Sequence, residues 1–85
     1  MADRVITLSV NGAAGRMGKS VLRLAHANPA IRIQEALEHA GSQSLGTGAL
    51  AGAGVGVKAG EDVAITSRHA GADVMIDFSL PVGFQ

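Results

Sequence analysis

The chain has 85 residues, no net charge and no cysteine, and 47% of its residues are hydrophobic although only 2% are aromatic. This size and composition predict one small domain with an aliphatic core. The lack of a basic surplus argues against a nucleic-acid or membrane-surface partner. Without cysteine, disulfides and thiolate chemistry are excluded. No signal peptide or membrane span is recognisable, so we expect a cytoplasmic location.

The first two elements are a strand and a helix. A β-branched run predicts the strand at about 4–10, with Ile6, Leu8 and Val10 on one face. Helical spacing predicts the helix at about 16–27, because Asn28-Pro29 ends it. Its expected apolar stripe, including a core position for the Met17 side chain, consists of Met17, Val21, Leu24 and Ala25.

Between them lies a glycine turn that reads Gly12-Ala13-Ala14-Gly15-Arg16-Met17-Gly18. We expect Gly12 to take a sharp-turn conformation, Gly15 to admit a pyrophosphate and Gly18 to let the helix pack closely. Free N–H groups at the helix start would then bind the anion. Because the middle glycine of the common dinucleotide fingerprint is replaced by Ala14, a plain strand–helix turn is the alternative.

A second strand is predicted at 31–38 and ends in an acidic residue. Ile31, Ile33 and Leu37 would share a face, with Glu35 a misfit between them. Glu38 follows Gly18 by twenty positions, where a dinucleotide-binding domain places the carboxylate that accepts from the adenosine ribose.

The residues after Glu38 complete the predicted α/β fold. Residues 39–60 are rich in glycine and predict a long surface loop, with one helical turn around 45–50. Strands are expected at 62–66 and 73–78, joined by a single turn at 67–71. Together these elements predict a Rossmann-like, mostly parallel open sheet that is incomplete, with about four strands in the order 3-2-1-4.

The sequence gives little support for a metal site or for a catalytic triad. The three histidines, at 26, 39 and 69, are scattered, so no metal site is expected. Ser67, His69 and Asp73 could be read as a triad, but residues so close in sequence favour a polar turn.

The glycine turn resembles the G-x-x-G-R-M-G signature of the dihydrodipicolinate reductase (4-hydroxy-tetrahydrodipicolinate reductase) family. The similarity continues through Ala36-Leu37-Glu38, Gly41-Ser42 and Ile76-Asp77-Phe78-Ser79, with Pro81 and Gly83. It implies NAD(P)H-dependent reduction of a cyclic imine dicarboxylate in the diaminopimelate route to lysine. It also implies a homotetramer for the full-length protein.

By the same resemblance, the pyrophosphate would lie on Gly12, Ala13, Ala14, Gly15, Arg16 and Met17. Glu38 and His39 would lie at the adenosine ribose, and Phe78 and Ser79 near the nicotinamide. Where many relatives have arginine after the glutamate, this chain has His39, which favours NADH over NADPH.

Family members are longer, and their catalytic and substrate-binding motifs have no counterpart here. Residues 1–85 are therefore expected to be a partial dinucleotide-binding domain, inactive alone, with the catalytic domain absent. The alternatives are a stand-alone nucleotide-binding module, or the front of another Rossmann oxidoreductase such as a semialdehyde dehydrogenase. A downstream His-His-x-x-x-Lys motif would indicate the reductase, and a natural stop after Gln85 would indicate the stand-alone module. A downstream catalytic cysteine would indicate the other Rossmann oxidoreductase.

Overall fold

The fold is a four-stranded parallel sheet with helices, seen in a computed structural model that describes residues 4–58 and 60–78. The strand order is β3-β2-β1-β4, which confirms the predicted 3-2-1-4 order and the Rossmann-like α/β class. The elements in chain order are β1 (Ile6–Asn11), α1 (Arg16–His26), β2 (Ile31–Leu37), α2 (Ala49–Gly52), β3 (Ile65–Thr66) and β4 (Val74–Asp77).

The aliphatic core lies between the sheet and the two helices. Its fully buried members include Val10 from β1 and Leu22 from α1, both 0% exposed. The other buried members of this cluster come from strands, helices and the residues beside them, namely Leu8, Ala13, Ala25, Ala36, Ala49, Leu50, Ala53 and Ile65. The buried apolar residues in the described part of the chain are therefore aliphatic, as expected, and Phe78 packs against them as a partly buried neighbour.

The predicted stripe of α1 is wrong in part. Leu22, which the stripe left out, is the buried residue, whereas Leu24 is 73% exposed and Met17 is 58% exposed. Leu24 and Val21 line an apolar groove of about 390 Å³ beside β1 and β4. Leu24 therefore faces this groove, although its helical spacing predicts a core position. The core position predicted for the Met17 side chain is wrong, because Met17 is exposed.

A bulge in β2 explains the apparent misfit of Glu35. Leu8 pairs with Ile33, but Ser9 pairs with Glu35, so Gln34 is the extra residue. Because one extra residue reverses the faces of a strand, Ala36 joins Val10 on the core face while Glu35 joins Ser9 on the opposite face. The prediction that Ile31, Ile33 and Leu37 share one face is therefore wrong.

The glycine-rich connection is more than a surface loop, because Ala49, Leu50 and Ala53 are buried in the core. The helical turn expected at 45–50 is α2, which begins at Ala49. The carboxylate of Asp62 accepts hydrogen bonds from the backbone N–H groups of Leu50 and Ala51 at 2.7 and 3.0 Å. A side chain eleven residues or more away thus caps this short helix.

The third and fourth strands are shorter than expected. β3 has only two residues, and no helical turn forms at 67–71, so that prediction is wrong. Thr7 and Asp73 fasten the start of β4 to β1. The Thr7 N–H donates to Asp73 Oδ2 at 3.0 Å, and the Asp73 N–H donates to Thr7 Oγ1 at 2.8 Å. β4 is the terminal strand of the described sheet, and Val74 and Met75 are exposed.

Candidate dinucleotide-binding edge

The turn after β1 requires glycine at two positions because of its backbone conformation and its close packing. Gly12 has φ +86°, and a Cβ there would contact Phe78 at 3.2 Å. A Cβ at Gly18 would overlap the carbonyl oxygen of Gly12. The start of α1 therefore packs directly on the turn, as the sequence predicts for Gly18.

Gly15 differs from these two glycines. A Cβ at this position would meet only the Gly12 carbonyl oxygen at 3.4 Å, which is an ordinary contact. Gly15 is exposed, and its φ of −81° is open to any residue. The fold itself therefore does not explain the absence of a side chain at Gly15.

The hydrogen bonds of the turn modify the expected anion site. The N–H groups of Gly12 and Ala13 donate to the Leu37 carbonyl at 2.9 and 3.0 Å, and that of Gly15 donates to the Gly12 carbonyl at 3.0 Å. The Ala14 N–H donates to Glu38 Oε2 at 2.9 Å. The donors expected within the turn are therefore already engaged by the protein.

The first turn of α1 supplies the alternative donors. The Lys19 N–H donates to the Gly15 carbonyl at 2.9 Å, so the helix geometry leaves the preceding N–H groups of Arg16, Met17 and Gly18 without intrahelical acceptors. Arg16 and Met17 are both exposed. These two N–H groups lie at the positive end of the helix dipole, where an anion is stabilised.

Glu38 connects this turn to the end of β2. It follows Leu37 directly, and its N–H donates to the Thr66 carbonyl at 2.9 Å, which joins it to β3. Its side-chain bond to Ala14 holds the carboxylate against the turn. The structure thus brings together the glycine turn and the acidic residue that the sequence predicts for one site.

A cleft of about 330 Å³ adjoins Glu38 at the carboxyl ends of the strands. In an open parallel sheet this edge is where ligands bind. The exposed His39 lines the cleft beside Glu38. The other lining residues are Asn11, Leu37, Ser67, His69 and Met75.

Of the two residues expected near the nicotinamide, Phe78 and Ser79, the structure describes only Phe78. The Phe78 N–H donates to the Asn11 carbonyl at 2.9 Å, and the Phe78 backbone packs against Gly12. Phe78 therefore lies beside the glycine turn. Ser79 is outside the described residues.

Sequence reasoning missed a polar cluster on the sheet face opposite α1. Ser9 Oγ donates to Glu35 Oε1 at 2.8 Å, and His69 Nδ1 lies 2.8 Å from the same oxygen. The N–H groups of Ala70 and Gly71 donate to Glu35 Oε2. The available signal was a glutamate in an apolar strand, opposite a small polar residue of the neighbouring strand.

This cluster holds Glu35 in its ionised form although Glu35 is only 8% exposed. Burial raises the pKa of Glu35. The hydrogen bond from Ala70, followed by those from Ser9, His69 and Gly71, outweighs this effect and lowers the pKa from 4.5 to about 2. His69 therefore pairs with Glu35, while Asp73 pairs with Thr7, which argues against the triad reading of Ser67, His69 and Asp73.

The described residues contain neither a cluster of metal-ligating side chains nor a membrane-spanning helix. Among positions 4–58 and 60–78, no three acidic, histidine or cysteine side chains cluster in a way that could hold a metal ion. In the same part of the chain, neither helix has the length and apolar character needed to cross a membrane.

A parallel sheet in the order 3-2-1-4, with a glycine turn leading into α1 and a glutamate after β2, defines a dinucleotide-binding domain of the Rossmann type. Comparison with known families narrows this class. Residues 6–85 match the model described as "Dihydrodipicolinate reductase, N-terminus". The chain therefore belongs to the dihydrodipicolinate reductase family.

Relatives of this chain bear the name 4-hydroxy-tetrahydrodipicolinate reductase. That of Anaeromyxobacter dehalogenans strain 2CP-1 is 47% identical over 73 residues, covering 82% of this chain and 26% of the relative. That of Rhodopirellula baltica is 42% identical over 86 residues, covering 95% and 31% respectively. The chain thus spans about a quarter to a third of the length of these relatives.

Proposed function

We propose that this chain is the cofactor-binding part of an NAD(P)H-dependent reductase that acts on a cyclic imine dicarboxylate in the diaminopimelate route to lysine. The observation that carries the proposal is the bond from Ala14 N–H to Glu38 Oε2, which joins the glycine turn and the acidic residue into one edge. The family membership supports the choice of reaction.

The residues of this edge fit a dinucleotide. Arg16 and Met17 offer backbone N–H donors for the pyrophosphate, and the missing side chain of Gly15 leaves room for its approach. Gly12, Ala13 and Ala14 shape the turn through their own hydrogen bonds. They position the helix start rather than supply free donors.

Glu38 suits the adenosine ribose. A carboxylate accepts at both oxygens, so the bond from Ala14 leaves capacity for ribose hydroxyl donors. Phe78, and by family resemblance Ser79, would lie toward the nicotinamide, which supplies a hydride when bound. The residues of this chain hold and orient the cofactor, whereas the substrate pocket and proton donor are proposed to lie outside it. The same resemblance supports a homotetramer for the full-length protein.

The test uses Gly15→Val in the full-length protein. We expect NADH affinity by calorimetry to fall at least about a hundredfold, or about 2.8 kcal/mol, because a branched side chain would occupy the place of the pyrophosphate. Reductase activity with the cyclic imine should fall with it. Gly56→Val is the matched control, since a Cβ at Gly56 meets nothing within 4 Å.

Unchanged NADH affinity in a folded Gly15→Val protein would refute this binding site. Tight NADH binding by the wild type with no imine-dependent NADH oxidation would instead favour a nucleotide-binding module without reductase activity.

We propose a preference for NADH over NADPH on the basis of Glu38 and His39. A 2′-phosphate would place negative charge beside the Glu38 carboxylate. Two unit charges at about 4 Å repel by roughly 4 kcal/mol at an effective dielectric near 20. Salt and the open cleft reduce this to about 1–2 kcal/mol. His39 lacks the permanent charge and bidentate geometry with which arginine would offset the repulsion.

The preference should be about tenfold, or about 1.4 kcal/mol, at neutral pH. His39→Arg should shift it toward NADPH, measured as the ratio of kcat/KM for the two cofactors. His26→Arg makes the same change at the far end of α1, about 15 Å from the helix start, and should leave the ratio unchanged. A clear NADPH preference of the wild type would contradict the proposed placement of Glu38.

A further inference from the structure

The Ser9–Glu35–His69 cluster has a geometry that the packing of the sheet alone does not require. Glu35 reaches across the face opposite α1 to a loop residue 34 positions later in the chain. Its carboxylate has contacts with Ser9 and His69 at one oxygen and with Ala70 and Gly71 at the other. The position of the His69 ring is therefore set by a buried and fully bonded partner.

This contact selects the tautomer of His69. A carboxylate can only accept hydrogen bonds, so His69 Nδ1 carries the proton that it shares with Glu35 Oε1 over 2.8 Å. In a neutral imidazole the other nitrogen, Nε2, is then an acceptor. Nε2 lies on the edge of the ring away from Nδ1, so Glu35 leaves it available for a second partner.

The His69 side chain is 53% exposed and lines the same cleft as Glu38. Leu37 and Met75 add apolar surface to this cleft. A purine has two apolar faces and a polar edge, so this combination suits it. Glu38 would take the ribose hydroxyls, and the acceptor of His69 would remain for the base.

We propose that His69 binds the adenine of the dinucleotide, with Nε2 accepting a hydrogen bond from the exocyclic amine, and that Glu35 is the positioning residue. This inference rests on the proposed function, since it places the adenosine half of the cofactor in the cleft beside Glu38. It makes His69 a determinant of specificity for the base, which is distinct from the role of Glu38 at the sugar.

The experiment measures binding to the full-length protein by calorimetry with three reduced probes. These are NADH, nicotinamide hypoxanthine dinucleotide, in which a carbonyl oxygen replaces the amine, and nicotinamide mononucleotide, which lacks the adenosine half. The wild type should bind NADH about tenfold more tightly than the hypoxanthine analogue, as expected when one hydrogen bond is lost to an unmatched acceptor.

In His69→Leu the ratio of the two dinucleotide affinities should fall close to one, while mononucleotide binding stays unchanged. Glu35→Gln should lower the ratio partially, because an amide no longer enforces the Nδ1–H tautomer. His26→Leu is the matched control, since His26 is an exposed histidine at the other end of α1. It should preserve the wild-type ratio.

Should His69→Leu fail to fold, nitrogen NMR of the wild type provides the same test. The Nε2 resonance of His69 should shift on addition of NADH and remain in place with the mononucleotide.

A wild-type ratio near one, an unchanged ratio in folded His69→Leu, or an unmoved Nε2 resonance would overturn the inference and leave the proposed function standing. Failure of the wild type to bind NADH at all would instead overturn the proposed function, and this inference with it.

Discussion

The two faces of the sheet are stabilised by different chemistry. On the face toward α1, Val10 and Leu22 are fully buried in an aliphatic cluster. On the opposite face Ser9 is equally buried, but it bonds to the carboxylate of Glu35 rather than to apolar neighbours. The first face depends on non-directional burial, and the second on hydrogen bonds with defined geometry.

The aliphatic face therefore serves mainly as scaffold, whereas the polar face contributes to the candidate site. The aliphatic face positions α1 so that its first turn meets the end of β1. The polar face positions the loop that carries His69 beside the cleft at the carboxyl edge. The two faces should therefore respond differently to substitution and to pH.

The largest loss of stability should follow a substitution that leaves a cavity on the aliphatic face. Leu22→Ala removes a fully buried side chain and should lower the free energy of unfolding by about 2–5 kcal/mol. Urea denaturation measures this. Leu24→Ala is the control, because Leu24 is 73% exposed, and should change stability by about 0.5 kcal/mol or less. Equal losses from both variants would show that the core is misassigned.

A smaller, pH-dependent effect should follow a change on the polar face. Glu35→Gln replaces a buried acceptor and should cost about 1–3 kcal/mol at pH 7. Because folding lowers the pKa of Glu35 from 4.5 to about 2, its contribution is complete above pH 4.5 and is lost as the pH falls through that interval. The gap between wild type and variant should therefore narrow between pH 5 and pH 2.

Urea midpoints for both proteins at several pH values across this range test the prediction. Folding also lowers the pKa values of Asp62 and Asp73, so both proteins should lose stability in acid. Their difference isolates Glu35. A gap that stays constant from pH 5 to pH 2 would contradict the ionised cluster.

The contrast between the faces also explains what could be predicted from the sequence. The order β1, α1, β2 and the glycine turn follow from local patterns of apolar residues, glycine and proline. The strand order 3-2-1-4 follows from the rules for parallel connections and is confirmed. Glu38 could be proposed as a ligand-binding residue because its distance from the glycine turn is characteristic.

The polar face could not be predicted in the same way. The bulge at Gln34 depends on the pairing of β2 with β1, which no local pattern in β2 reveals. The partners of Glu35 lie 26 to 36 residues away. Leu22 and Leu24 differ in burial because they lie on nearly opposite sides of α1, and helical spacing alone did not show which side faces the core.

The proposed function places the cofactor at the carboxyl edge and the polar face of the sheet, away from α2. Hydrogen exchange of the full-length protein, measured by mass spectrometry with and without NADH, tests it most directly. NADH should slow exchange in peptides covering 12–18, 38–39 and 67–71, with no change across 49–57. Unchanged exchange at 12–18, or protection centred on α2, would contradict this placement of the cofactor.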